Sequence, residues 1–166
     1  SARRQLEASL KTLRVSRVDL IQIHNVQFTR ELDAIFAADG AYRALQTARD
    51  EGLCRFVGIT GHFDPYVLAE AVRREPFAAA LVAVNAADRR YLSFIEHFLP
   101  VARELGVPLI GMKVVADGRL LRHLSPADAL HYTLSRPGVV TAIMGCGTLR
   151  ELEENIEAAR AFRPLG

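Results

Sequence analysis

The chain has 166 residues, 50% of them hydrophobic and 24% charged, with a formal net charge of +2. Such a chain is long enough for one sizeable core and too weakly basic for a nucleic-acid partner or a polybasic membrane signal. No run of about 18 apolar residues argues for a membrane span, and no signal-peptide pattern is present. Cys54 and Cys146 stand far apart and outside any CxxC pair, so no metal site is expected, and both read as free thiols of a cytoplasmic protein. The chain opens at Ser1 within a helical pattern, as a piece of a larger protein or a trimmed one would.

Leu6, Leu10 and Leu13 recur at helical spacing and predict an amphipathic first helix. Residues 18–24 (VDLIQIH) are a β-prone run. Residues 41–51 read as a helix, with Gly52 a natural stop. Residues 55–60 (RFVGIT) form the second predicted strand. Asp64 and Pro65 then supply an N-cap and a first-turn proline for a helix continued by Leu68, Ala71 and Val72. Residues 80–85 (ALVAVN) are the third strand, and Ile95, Leu99, Ala102 and Leu105 make the next helix stripe, ended by Gly106. Residues 108–114 (PLIGMKV) are the fourth strand. Ser125-Pro126, with Asp128 at the capping-box position, opens another helix. Residues 139–144 (VVTAIM) are the fifth strand, and Thr148 with Glu151 predicts a capping box for a last helix carrying Leu149, Leu152 and Ile156.

The strands recur about every 30 residues, the spacing of βα units in a (β/α)8 barrel. Their apolar length fits strands buried on both faces. Periodicity alone suits either a barrel or an open doubly wound sheet. Five units cannot close an eight-stranded barrel, so the open edges are expected to be covered, with self-association one way of doing so. No interior linker is evident, and residues 1–166 are read as a single domain.

In parallel β/α folds the chemistry sits at the carboxyl ends of the strands. Those ends here are His24-Asn25, Thr60-Gly61-His62, Asn85 followed by Asp88 and Arg89, Lys113, and Gly145-Cys146-Gly147. Each has a plain structural reading: His24 as a core histidine, Thr60-Gly61 as a tight turn, Asn85 as a loop cap, the glycines as a flexible corner. Lys113, in an otherwise apolar strand, requires a partner or a wet cavity. The glycine corner before a capped helix also suits an anion at the helix N-terminus. His62, His97, His123 and His131 have no metal-ligand spacing and read as surface or loop residues.

Residues 6–25 (LEASLKTLRVSRVDLIQIHN) resemble the aldo-keto reductase segment that ends in the active-site histidine, here His24. Residues 44–60 (ALQTARDEGLCRFVGIT) resemble the helix and "RxxGxS" run into that family's fifth strand. Residues 138–158 (GVVTAIMGCGTLRELEENIEA) resemble its cofactor segment. The resemblance implies five βα units, with a leading helix, of a partial parallel (β/α)8 TIM barrel, an α/β fold. It also implies an oxidoreductase that reduces small-molecule carbonyl substrates with NADP or NAD. In the family a tyrosine tuned by a lysine and an aspartate protonates the carbonyl. The resemblance places all three in units before this chain's first residue, and Tyr42, Tyr66, Tyr91 and Tyr132 do not match the tyrosine's position.

The resemblance further implies cofactor contacts at Thr60, Lys113, Gly145, Gly147, Arg150, Glu154 and Asn155, with Asn25 and Asn85 on the substrate rim. Departures accompany it. The family's Ser-Asn pair is Thr60-Gly61, its sixth-strand glutamine is Leu81, and its nicotinamide-stacking tyrosine is Lys113, as in a bacterial subgroup. The 2′-phosphate arginine falls at or near Glu151, beside Arg150, which leaves NAD and NADP both open. Two other readings remain: a Schiff-base lyase using Lys113, and a non-catalytic half-barrel that binds dinucleotide or pairs with itself.

Overall fold

The computed structural model describes residues 1–88 and 92–165, so Arg89 and Tyr91, both weighed above, lie outside the described residues. Five strands form one sheet: β1 (Val18–Ile23), β2 (Cys54–Gly61), β3 (Ala80–Ala83), β4 (Leu109–Met112) and β5 (Val139–Ala142). Every neighbouring pair is parallel, and the order across the sheet is β1-β2-β3-β4-β5. A doubly wound sheet reverses its strand order at a switch point. This one advances by one neighbour at each step, which is the progression of a barrel wall.

The helices follow the predicted alternation, with informative exceptions. α1 (Ala2–Leu13) buries Leu6 and Leu10, and Arg14 ends it in the left-handed region. α2 (Thr29–Phe36) was not foreseen. It buries only Leu32 fully, too little for a periodic stripe, and the Glu31 carboxylate holds its start by accepting from Gln27 N and Phe28 N. α3 (Ala41–Asp50) buries Tyr42, Leu45 and Ala48. α4 (Pro65–Arg74) has its Asp64 cap as expected, the carboxylate accepting from Tyr66 N at 2.8 Å. The single stripe expected next is two helices, α5 (Phe94–His97) and α6 (Leu99–Glu104). Pro100 in the first turn of α6 has no N–H to continue the α5 ladder, so the helix restarts there. α7 (Pro126–Leu134) carries the predicted Ser125/Asp128 capping box, and α8 (Leu149–Arg160) is the last described helix.

The last three strands are shorter than predicted, leaving Asn85, Lys113 and residues 143–144 beyond them. For β4 the cause is local: Lys113 has φ 55°, which turns the chain out of extended geometry. The main core lies between one sheet face and the helices. Ile23, Val57, Ile59, Val82 and Leu109 pack there with Leu6, Leu32, Leu68 and Phe98. Tyr42 is buried edge-on to Phe36 and Phe77, and its hydroxyl donates to Pro76 O at 2.8 Å. A smaller cluster joins Val114, Ala129, Leu130 and Ala158. Phe56 remains 46% exposed, and β1 and β5 each pair on one side only.

Gly111 in β4 lets α7 approach the sheet. A Cβ there would lie 2.5 Å from Thr133 Cγ2, and the buried Thr133 cannot retreat, because its Oγ1 donates to Val84 O at 2.8 Å. Gly111→Ala is therefore expected to cost about 1–3 kcal/mol, as overpacking does. Urea denaturation should show a lower midpoint at unchanged slope.

Candidate functional site

His24 directly follows β1, Thr60 is the penultimate residue of β2, Asn85 lies two residues past β3, and Lys113 directly follows β4. With all strands parallel, these positions and the Gly145 corner beyond β5 share one edge of the sheet. His24 is exposed, so it is not a core histidine. Its ring meets His62 edge-on, with centroids 5.6 Å apart and planes at 79°. Thr60 is 1% exposed, yet its hydroxyl has no hydrogen-bond partner, and neither do the buried Asn25 Oδ1 and Gln22 Nε2. Buried polar atoms are nearly always paired, so orphans at a strand end mark a place where another group belongs.

A cleft of about 430 Å³ opens at the ends of β2, β3 and β4. His62, Phe63, Asn85, Phe94, Lys113 and Arg119 are among its lining residues. Lys113 borders this cleft and has a partner, its Nζ lying 3.3 Å from the Asp117 carboxylate. It stands just past the strand, however, not within it. Asn85 lines the cleft and also caps its loop, its Oδ1 accepting from Ala87 N at 3.0 Å.

His62 lies in the loop between β2 and α4, as expected, and it also lines the cleft. Burial pushes its imidazole pKa below the usual 6.5, and the charges of Lys113 and His24 push it the same way against the opposing Asp117. The sequence signal was its position, two residues past a strand-end threonine. Its link to His24 and Lys113 needed coordinates, because the three come from separate strand ends. His131 is half-buried on α7: its Nε2 pairs with Ala158 O at 2.8 Å and its ring meets Phe162. Tyr42, Tyr66 and Tyr132 line none of the cleft. Tyr42 is in the core, Tyr66 stacks on His97, and Tyr132 lies under Arg136.

Gly61 occupies a slot where no side chain fits. A Cβ there would meet Leu68 Cδ1 at 2.8 Å and Val26 O at 2.9 Å. Beyond β5 the opposite holds, since a Cβ on Gly145 would meet nothing within 4 Å. At the α8 entrance Thr148 Oγ1 accepts from Glu151 N as predicted. Glu151 departs from the predicted box: its carboxylate takes Gly147 N at 2.6 Å instead of the cap residue's own N–H. Asn155 Nδ2 contacts Cys146 Sγ at 3.2 Å, and Arg150 pairs with Glu154 at 2.7 Å, both ions exposed. These α8 groups form a cluster apart from the cleft and are not among its lining residues.

Among known proteins, the aldo/keto reductase family profile matches residues 1–129. The chain belongs to the aldo/keto reductase family. It is 23% identical to the uncharacterized oxidoreductase YqkF of Bacillus subtilis, over 95% of this chain and 60% of that one. The holo form of an aldo-keto reductase from Bacillus halodurans superposes with a TM-score of 0.80 at 22% identity, covering 99% of this chain and 62% of its own. A Klebsiella pneumoniae aldo-keto reductase in complex with NADPH gives 0.74 at 21% identity, over 96% and 59% of the two chains. The chain thus spans about three fifths of the length of the relatives it matches, and its sheet is part of a (β/α)8 barrel. Residues 138–158 lie beyond the family match.

Folded His62 holds its proton less tightly than the unfolded chain does. Below about pH 6.5 the unfolded chain therefore binds more protons, and stability falls with pH down through the lowered native pKa. Lys113→Gln removes one cause of that depression. NMR titration of the ring proton is expected to give a higher His62 pKa in the variant, and urea melts a smaller loss of stability on acidification.

Proposed function

We propose that this chain supplies the cofactor- and substrate-facing wall of an NAD(P)H-dependent carbonyl reductase. The overall reaction is carbonyl plus NAD(P)H plus a proton to alcohol plus NAD(P)⁺. The observation that carries the reading is Thr60, whose buried hydroxyl has no partner and sits at the strand-end edge beside His24. A carboxamide would satisfy that hydroxyl, so the residues present fit a nicotinamide at this end. Bound nicotinamide supplies the hydride.

The chain's own side chains do the rest. His24, exposed at the strand-end edge beside His62, presents ring N–H to orient a carbonyl oxygen. Asn25 and Asn85 offer amides at the rim, and Lys113 offers a cation to phosphate, ribose or substrate. The open corner at Gly145 and Gly147 leads to the α8 entrance, where a dinucleotide's far end would engage Arg150, Glu154 and Asn155. Glu151 already holds the Gly147 N–H there. A 2′-phosphate would meet that carboxylate, which favours NAD over NADP. No described tyrosine lines the cleft, so these residues lack the general acid expected of the family.

Lys113 is less suited to a Schiff base. Its side chain is 38% exposed and next to Asp117, not in the apolar pocket that activates such lysines. Borohydride trapping of a carbonyl adduct on Lys113 would revive that reading. Self-association is favoured by the open β1 and β5 edges and by Val140 and Ile143, exposed at 66% and 53%. Sedimentation velocity should then depend on protein concentration.

Fluorescence titration with NADH and NADPH tests the main reading. Saturable binding is expected, weakened roughly 3- to 10-fold by Thr60→Val, the worth of one neutral hydrogen bond. No binding, or binding indifferent to that substitution, overturns it. The 166-residue chain alone is expected to show no reduction of a simple aldehyde, because a missing general acid costs about 10²–10⁴-fold. Steady NADPH oxidation by purified chain would refute that.

A further inference from the structure

A carboxamide has two ends, an oxygen that accepts and an NH₂ that donates. The Thr60 hydroxyl has one proton to give, and the oxygen takes it. The NH₂ then requires an acceptor beside Thr60. The neighbouring strands limit the choice. On β3 the residue opposite Thr60 is Leu81, which has no polar side-chain atom. On the β1 side Ile23 stands opposite Ile59, so the next residue, His24, is the neighbour of Thr60, and its ring is already given to the substrate carbonyl.

Within the second strand end the geometry selects one residue. Gly61 points towards α4, where a Cβ would meet Leu68 Cδ1 at 2.8 Å. By strand alternation Thr60 and His62 point the other way. His62 does so, since its ring meets His24 edge-on. The other side-chain acceptors that line the cleft already hold partners. Asn85 Oδ1 accepts from Ala87 N, Asp88 from the Ser93 hydroxyl and Ile95 N, and Asp117 from Lys113 Nζ. His62 itself is half-buried. Burial lowers its pKa, Lys113 and His24 act in the same direction, and Asp117 opposes them. Above that lowered pKa the ring is neutral and carries one N–H and one nitrogen lone pair. The lone pair is the group that a carboxamide NH₂ needs.

We propose that His62 is a further nicotinamide-binding residue, its ring nitrogen accepting from the carboxamide NH₂ while the Thr60 hydroxyl donates to the carboxamide oxygen. This rests on the carbonyl-reductase reading and adds to it the residue that recognises the second end of the carboxamide. The consequence is a preference for a dinucleotide that carries the NH₂ over one that carries the carbonyl alone. A histidine that only packs against His24 gives no such preference.

The test uses the whole chain with NADH and with reduced 3-acetylpyridine adenine dinucleotide, in which a methyl group replaces the NH₂ and the carbonyl remains. In calorimetric titrations above the usual imidazole pKa, NADH is expected to bind about 3- to 10-fold more tightly, the worth of one neutral hydrogen bond. His62→Phe keeps an aromatic ring without an acceptor and should bind both dinucleotides alike. His62→Gln returns an acceptor and should recover part of the preference. NMR of the His62 ring proton gives a second reading on the unaltered chain. An accepted hydrogen bond favours the neutral ring, so NADH should lower the His62 pKa further than the analogue does. Circular dichroism checks the fold of each variant, and if His62→Phe does not fold, the NMR comparison decides. Equal affinities in the unaltered chain, equal effects on the His62 pKa, or a preference that survives in folded His62→Phe overturns the proposal. The last result would assign the NH₂ to another acceptor, such as the orphaned Asn25 Oδ1. Equal binding of both dinucleotides that is still weakened by Thr60→Val removes the His62 assignment and leaves the reductase reading standing. No binding of either removes both.

Discussion

Parallel pairing of five consecutive strands is the constraint on which the candidate site depends. Residues such as Ile23, Ile59 and Val82 turn to the helices and are buried together. Main-chain hydrogen bonds then bring the carboxyl ends of all five strands to one edge. No polar residue at that edge needs to find its neighbours on its own, because the register does it. Ile23 stands opposite Ile59, so His24 emerges level with Thr60 and within reach of His62. A slip of one residue would turn these side chains to the opposite face.

The second strand end shows how packing and chemistry compete within three residues. Thr60 keeps a hydroxyl without a partner. Gly61 has no side chain because Leu68 and the Val26 carbonyl already fill the space a Cβ would enter. His62 is free to turn into the cleft. An amide side chain at the middle position is thus excluded by Leu68 of α4 and by the Val26 carbonyl. The fourth strand end uses another device: left-handed backbone at Lys113, Ala116 and Asp117 folds the chain back so that lysine and aspartate meet.

Much of this was readable in advance. Helical stripes such as Leu6 and Leu10, the Asp64 and Ser125 caps, and the apolar strand runs are local signals, and local signals survive folding. α2 was missed because its single fully buried leucine leaves no period to detect. The α5–α6 break was missed because apolar spacing continues across Pro100 while the hydrogen-bond ladder does not. At the α8 entrance the residues of a capping box were recognised, but whether Glu151 would reach Gly147 or the cap itself is decided by the path of the glycine corner.

By itself the sequence determined the alternation of strands and helices, the strand-end positions of His24, Thr60 and Lys113, and the kinship with aldo-keto reductases, because each of these is written in short runs of neighbouring residues. Only the tertiary structure decided that the strands advance without reversal, that His62 meets His24 and shares a cleft with Lys113, and that Asp117 is the partner of Lys113. Those facts depend on distances between segments far apart in the chain, and such distances are set by sheet register and helix packing, not by any local pattern.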